Sequence, residues 1–278
     1  MKYDNNFDDK ARYKLYKDVK DLLHPTISKS NISDYKIVFK DELLPVRIFY
    51  PKKLRNIKHI IIYIPGIGDI TECSGKYSDI CRGISSKTDS CVIGIDYFDE
   101  DIKYDYTIDR IYNIINYLYE ELTKIKFNTS DIYLMGDSFG GMLLNDINNR
   151  FKNNNLNYIK GNIYFYPLIK TSHDHDEFEV RDDSYRFDLY SVNKSDKFLK
   201  KYLKDTDYVS LLELDKIDLP RSFIVCGELD PICLENEEFS KKIKDSEFLL
   251  LDSNIHGFLK NISTMKNDVF DKLNEFMN

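Results

Sequence analysis

Residues 131–141 place the tightest constraint on the fold of this chain, because they join a short apolar run to a glycine-bounded turn. The run from Ile132 to Met135 is apolar or aromatic, which is typical of a short buried strand. Residues 136–140 read Gly-Asp-Ser-Phe-Gly and fit G-x-S-x-G, a tight strand-to-helix turn that presents a serine hydroxyl at the sheet edge. Side chains at the two glycines would collide where strand and helix cross. The motif alone also fits a solvated serine in a glycine-rich turn, so its context must decide.

Strand-like and helix-like patterns alternate along most of the chain. Two segments, 35–39 and 46–50, alternate as antiparallel strands do. Apolar runs typical of further, buried strands cover 60–64, 91–95, 132–135, 163–166, 222–226 and 248–251. Helical apolar spacing marks 77–84, 108–125, 143–151, 234–243 and 258–273. This order predicts an α/β fold with a mostly parallel eight-stranded sheet and helices on both faces.

Two segments stand apart from this alternation. Residues 7–23 carry a helical apolar period that stops at a proline, and residues 171–207 form a long polar insertion with scattered aromatic residues. Long insertions in compact domains are usually functional. We therefore expect one domain over 1–278, with cap elements from about 1–30 and from 171–207.

Composition and charge exclude several classes of protein. The chain has 278 residues, 42% of them hydrophobic, and a net charge of -7, which gives no basic surface for nucleic acid or anionic membrane. The amino terminus lacks a secretory signal and no apolar run reaches membrane-spanning length, which favours a cytoplasmic location. The five cysteines lack C-x-x-C spacing and are expected to be buried or half-buried thiols.

The sequence predicts no metal and no cofactor. The run from His173 to Asp176 alternates His and Asp, but such a run in a polar loop is expected to be solvated. His59 precedes the first residue of a predicted strand and is expected to lie at the protein surface.

Three residues after separate strands could form a nucleophilic site. Ser138, Asp230 and His256 follow the fifth, seventh and eighth predicted strands, where parallel sheets bind ligands. A serine hydroxyl needs an imidazole to take its proton and a carboxylate to hold that imidazole. The order Ser, Asp, His is that of α/β-hydrolases. Glu228, Asp215 and Asp218 are rival acids, although the last two precede their strand.

Several motifs in the right order resemble the hormone-sensitive-lipase-like esterases, the α/β-hydrolase-3 family, from about residue 35 to the end. Residues 136–141, Gly-Asp-Ser-Phe-Gly-Gly, are similar to the family's Gly-Asp-Ser-Ala-Gly-Gly turn. Asp96-Tyr97 and Tyr166-Pro-Leu168 match two further motifs, 227–231 matches the acid turn and 256–258 the histidine turn.

The resemblance also implies an oxyanion hole. The family's His-Gly-Gly-Gly loop corresponds here to residues 65–68, Pro-Gly-Ile-Gly, so the leading histidine and the middle glycine are replaced. By position, the donors are the backbone N–H groups of Ile67, Gly68 and Phe139. Taken alone, the loop fits an ordinary turn equally well.

The sequence thus predicts a serine esterase that hydrolyses small short-acyl esters through an acyl-enzyme. A deacetylase of acylated sugars, a peptidase on the same fold and a non-catalytic ligand-binding receptor stay open as alternatives. We expect a small-molecule ester as the substrate, with no nucleic-acid partner and no transmembrane segment, and the sequence leaves open whether the chain forms a homodimer.

Overall fold

The computed structural model of the chain describes residues 32–39, 42–51, 57–66, 76–97, 103–124, 131–173, 195–204, 206, 208, 210–259 and 267–278. The predicted amino-terminal helix, 7–23, lies outside these residues. So do residues 174–194 of the expected cap insertion, 171–207.

Eight strands form one sheet in the order β1-β2-β4-β3-β5-β6-β7-β8. They are β1 Ile32–Phe39, β2 Glu42–Phe49, β3 Ile60–Ile64, β4 Cys91–Ile95, β5 Ile132–Asp137, β6 Ile159–Phe165, β7 Ser222–Gly227 and β8 Ser246–Leu251. β2 pairs antiparallel with β1 and β4, and all other neighbouring strands are parallel. The predicted mostly parallel, eight-stranded sheet is confirmed.

Helices cover both faces of this sheet. They are α1 Lys76–Thr88, α2 Tyr104–Lys124, α3 Phe139–Asn153, α4 195–202, α5 Cys233–Lys242 and α6 Asn267–Met277. Side chains of α2, α3, α4 and α5 pack in one apolar cluster, and those of α1 and α6 pack in a second. Every residue of β3 and β4 is buried, because these strands are covered on both sides.

The order of the strands creates a crevice at one edge of the sheet. From β3 the chain passes through α1 to β4 on one side, and then returns through α2 to β5 on the other side of β3. Ligands of open parallel sheets bind where the connections diverge in this way, beyond the carboxyl ends of the strands. Residues 65–66 after β3 and Ser138 after β5 both lie at this edge.

Within the described ranges, none of the helices combines the length and the apolarity that crossing a lipid bilayer requires.

The turn between β5 and α3 leaves no room for side chains at its glycines. A Cβ on Gly136 would lie 2.6 Å from the Gly140 carbonyl oxygen, and one on Gly140 would lie 2.0 Å from the Ile64 carbonyl oxygen. Both obstacles are backbone atoms, which cannot turn aside as a side chain can. The glycines predicted to permit close crossing therefore do so, and Gly140 also allows contact with the end of β3.

We expect Gly140→Ala to destabilise the protein by more than ~3 kcal/mol, because relief of the collision requires a backbone shift of the turn or of β3. Urea denaturation measures the change in the free energy of unfolding. Asn153→Ala, at an exposed position of the same helix, is the control and should change stability by less than ~0.5 kcal/mol. A Gly140→Ala protein as stable as that control would contradict this account of the turn.

Candidate active site

Ser138 lies in a constrained backbone conformation between β5 and α3. Its φ is 49° and its ψ is -119°, a positive φ that non-glycine residues rarely adopt. Its N–H donates to the Phe165 carbonyl oxygen at 3.0 Å, and its own carbonyl oxygen accepts from the Met142 N–H at 3.3 Å. Both strand and helix therefore hold the residue in a conformation typical of functional turns.

Asp230 lies in a tight turn after β7, with its side chain fully buried. Its backbone N–H donates to the Gly227 carbonyl oxygen at 3.1 Å. One carboxylate oxygen, Oδ1, accepts from the Ile232 N–H at 3.1 Å. That bond fixes the rotation of the carboxylate and leaves Oδ2 for a second partner.

His256 lies in the loop after β8, and backbone contacts join this loop to the acid turn. The Leu229 N–H donates to the Asn254 carbonyl oxygen at 2.9 Å. A Cβ on Gly227 would lie 2.2 Å from the same oxygen, so only glycine allows the two loops to lie this close. The positions of Asp230 and His256 are thus set relative to each other.

The structure brings the three predicted residues together. His256 Nδ1 lies 2.8 Å from Asp230 Oδ2, and His256 Nε2 lies 3.0 Å from Ser138 Oγ. An ionised carboxylate only accepts hydrogen bonds, so the imidazole proton is on Nδ1. Nε2 is then free of a proton and can accept one from the serine hydroxyl, as a general base must.

The rival acids are placed elsewhere. Glu228 is exposed, and its Oε2 accepts from the Ser253 N–H at 3.0 Å. Asp215 is exposed before β7, and Asp218 forms a surface ion pair with Lys152 at 2.5 Å. Of these carboxylates and Asp230, only Asp230 contacts the imidazole.

Asp137, the residue before the serine, connects the nucleophile turn to the loop after β3. Its Oδ1 accepts from the Tyr63 hydroxyl at 2.6 Å and from the Gly66 N–H at 2.8 Å. Burial, with Asp137 beside it, holds the pKa of the Tyr63 hydroxyl well above its ordinary value, so the hydroxyl stays a donor. No role was predicted for Asp137 from the sequence. The feature that could have indicated one is its carboxylate, which lies inside the G-x-S-x-G turn.

Tyr166, at the end of β6, packs against the imidazole. Its ring centroid is 4.8 Å from that of His256, and it adopts a φ of 37°. Phe258 packs edge-to-face with Tyr166, with 4.7 Å between the ring centroids. Tyr166, packed against Phe258, therefore restricts the tilt of the imidazole.

Of the three predicted oxyanion donors, the structure describes only Phe139. Phe139 is the first residue of α3, where backbone N–H groups have no acceptor within the helix. Its N–H therefore lies beside Ser138 and can bind an anion. Ile67 and Gly68 lie outside the described residues.

Aromatic rings of α4 cover the side chain of Phe139. Its ring centroid lies 5.6 Å from that of Phe198 and 5.8 Å from that of Tyr202. The ring of Tyr104, in α2, lies 6.4 Å away from it. Phe139 is 2% exposed, so this cluster forms an aromatic wall directly after the serine.

Two expectations about histidines are wrong. Of the run 173–176, His173 is buried, not solvated, because Asp196 and Glu235 bind its two ring nitrogens. Residues 174–176 lie outside the described residues. His59 is also buried and packs edge-on against Tyr133, so it does not lie at the surface. Among the residues that the structure describes, no His, Cys, Asp or Glu side chains are grouped as metal ligands would be.

Known proteins of this architecture match the chain along nearly its whole length. An arylesterase of Saccharolobus solfataricus is 22% identical over 274 residues, which is 92% of this chain and 88% of the relative. A solved arylesterase structure has a TM-score of 0.73 at 20% identity, with 98% of each chain covered. An esterase of Pyrobaculum calidifontis has a TM-score of 0.71 at 15% identity and covers 100% of this chain and 94% of its own.

A family model described as an alpha/beta hydrolase fold matches residues 61–260, which is most of the chain. The match includes Ser138, Asp230 and His256 together with the turns that hold them. The chain therefore belongs to the α/β-hydrolase-3 family, the hormone-sensitive-lipase-like group that its motifs resemble.

Proposed function

We propose that the protein is a serine carboxylesterase that hydrolyses small short-acyl esters through an acyl-enzyme. The observation that carries this proposal is the unbroken chain of contacts from Ser138 Oγ to His256 and on to Asp230. The names of the relatives, two arylesterases and an esterase, support ester bonds as the substrate class.

In this mechanism His256 acts first as a base and then as an acid. Nε2 takes the proton from Ser138 Oγ as the oxygen attacks the ester carbonyl carbon, and gives it to the departing alcohol. The buried Asp230 carboxylate stabilises the imidazolium formed in between. Water then attacks the acyl-enzyme by the same route, which releases the acid and regenerates the serine.

The charge on the tetrahedral intermediate requires donors on the side of the carbonyl oxygen. The Phe139 N–H supplies one, because it lies at the start of α3 where helical N–H groups are free to bind an anion. The loop after β3 begins beside this position, with Gly66 bound to Asp137 at 2.8 Å. Further donors on this loop, at Ile67 and Gly68, remain part of the proposal.

Labelling with a fluorophosphonate probe tests the proposal directly, because the probe reacts with activated serines. The wild-type protein is expected to be labelled at Ser138 and to hydrolyse p-nitrophenyl acetate, and Ser138→Ala to do neither. A protein that binds esters without labelling or turnover would instead be a receptor on this fold. A panel of aryl esters, acetylated sugars and peptides separates the esterase from the deacetylase and the peptidase.

The aromatic wall beside Ser138 provides the reason to expect short acyl groups. Phe198 is only partly buried and lies edge-on to Phe139. We expect Phe198→Ala to raise kcat/KM for p-nitrophenyl hexanoate relative to the acetate by about 10-fold, because removing a phenyl ring opens space for several methylene groups. Steady-state kinetics on both esters measures this ratio.

Tyr119→Ala is the matched control for Phe198→Ala. Tyr119 is also a partly buried aromatic residue, stacked on Tyr158 with 3.7 Å between the ring centroids, but it lies near the opposite edge of the sheet. The control should leave the ratio unchanged even if it lowers stability. An equal ratio in wild type and Phe198→Ala would remove the aromatic wall from the acyl pocket.

A further inference from the structure

Both ring nitrogens of His173, a residue outside the candidate active site, are paired with carboxylates. Its Nδ1 lies 2.7 Å from Asp196 Oδ1, and its Nε2 lies 3.2 Å from Glu235 Oε2. Its backbone N–H also donates to Asp196 Oδ2, at 2.9 Å. The imidazole itself is 1% exposed, so it is paired with these carboxylates and has little contact with solvent.

The contacts determine the charge of this imidazole. A neutral imidazole donates from one nitrogen only, whereas ionised carboxylates accept and never donate. Two carboxylates, one on each nitrogen, are therefore both satisfied only by the imidazolium. The nitrogens point to different sides of the ring, so the three groups do not converge on one metal ion.

The three residues belong to different elements that flank the candidate active site. His173 follows β6 by eight residues, Asp196 lies in α4, and Glu235 lies in the first turn of α5. α4 carries Phe198 and Tyr202, which pack on Phe139. α5 begins three residues after Asp230.

We propose that His173 is a positioning residue, a buried imidazolium that ties α4 to α5 and thereby holds the aromatic wall beside Ser138. The link to substrate binding rests on the proposed esterase function. The link between the two helices does not depend on it.

The surroundings of His173 determine the pH range over which its imidazolium stabilises the contact between α4 and α5. Burial alone would lower the pKa of the imidazole, but the hydrogen bonds that it donates to Asp196 and Glu235, together with their negative charges, outweigh burial and raise the pKa from 6.5 to about 9. Among the residues that the structure describes, Lys170 is a further charged group near the pair, with its Nζ 3.6 Å from Glu235 Oε1. Because the folded-state pKa is raised, the stabilisation is complete below pH 6.5 and is lost as the pH rises through about 9.

Histidine NMR tests the charge state without any assay of activity. The imidazole signal of His173, assigned by its absence in His173→Gln, is expected to keep the protonated form through pH 8. In Glu235→Gln, one negative partner is removed, so the midpoint should fall by at least ~1 pH unit. A wild-type midpoint at or below 6.5 would overturn the proposal.

Thermal unfolding tests whether the imidazolium ties the elements together. At pH 7 we expect wild type to melt at least ~3 °C above His173→Gln, and the difference to shrink to less than half by pH 10. His59→Gln is the matched control. Burial lowers the pKa of His59, so this buried histidine stays neutral over the whole range and its difference from wild type should not change. A difference for His173→Gln that is equal at pH 7 and pH 10 would overturn the proposal.

Kinetics then tests the positioning role. At pH 7, His173→Gln should raise KM for p-nitrophenyl acetate ~3- to 10-fold with kcat within ~2-fold, because the wall moves but the proton transfers do not. The wild-type KM should rise towards that of the variant above pH 9. An unchanged KM, or a loss confined to kcat, would overturn the positioning role. Failure of the esterase proposal would appear separately, as absence of turnover in wild type.

Discussion

Replacing Ser138 or His256 with alanine is expected to lower kcat for p-nitrophenyl acetate by at least ~10³-fold. Without the Ser138 hydroxyl there is no oxygen to attack the carbonyl, and without the His256 imidazole there is no acceptor 3.0 Å away for its proton. Neither side chain carries much of the core, since both are only partly buried. The melting temperature of each variant should therefore stay within ~2 °C of wild type.

The double variant gives the sharper test of a shared mechanism. If Ser138 and His256 act in one proton transfer, the second substitution adds almost nothing to the first, because the transfer is already lost. Independent contributions would instead multiply, to about 10⁶-fold. A Ser138→Ala protein that retains most of its activity would contradict the serine mechanism itself.

Local signals in the sequence predict most of the fold. Buried parallel strands give continuous apolar runs, so β3 and β4 were predicted with the bounds that the structure has. β6 begins four residues earlier than predicted, at Ile159, because Lys160, Gly161 and Asn162 interrupt its apolar pattern. Asn162 is fully buried, and its amide oxygen accepts from the Asn148 side chain of α3, a helix partner that no strand pattern can reveal.

Some residues of the candidate site could likewise be predicted from the sequence, and others could not. Ser138, Asp230 and His256 follow predicted strands and carry the residue types that nucleophilic chemistry needs, so position and chemistry together select them. His173 could not be found like this, since its partners lie 23 and 62 residues away and are ordinary acids in helices. The roles of such residues depend on the packing of elements distant in sequence.

Asp230→Asn is expected to lower kcat by ~10³- to 10⁴-fold with little change in the shape of the site. The reason lies in the two oxygens of the carboxylate. Oδ1 accepts from the Ile232 N–H at 3.1 Å, so an asparagine keeps its carbonyl oxygen there and turns its amide NH₂ towards His256. Nδ1 must then accept, the proton moves to Nε2, and the imidazole can no longer take the proton of Ser138.

Glu228→Gln is the matched control, because it makes the same carboxylate-to-amide change two residues away. Glu228 binds the Ser253 N–H and does not contact the imidazole, so a glutamine can keep that bond through its carbonyl oxygen. The control should change kcat by less than ~3-fold. Steady-state kinetics on p-nitrophenyl acetate ranks the two variants. If Glu228→Gln loses the larger part of kcat, the acid of the site is Glu228, and the contact between Asp230 and His256 has only a structural role.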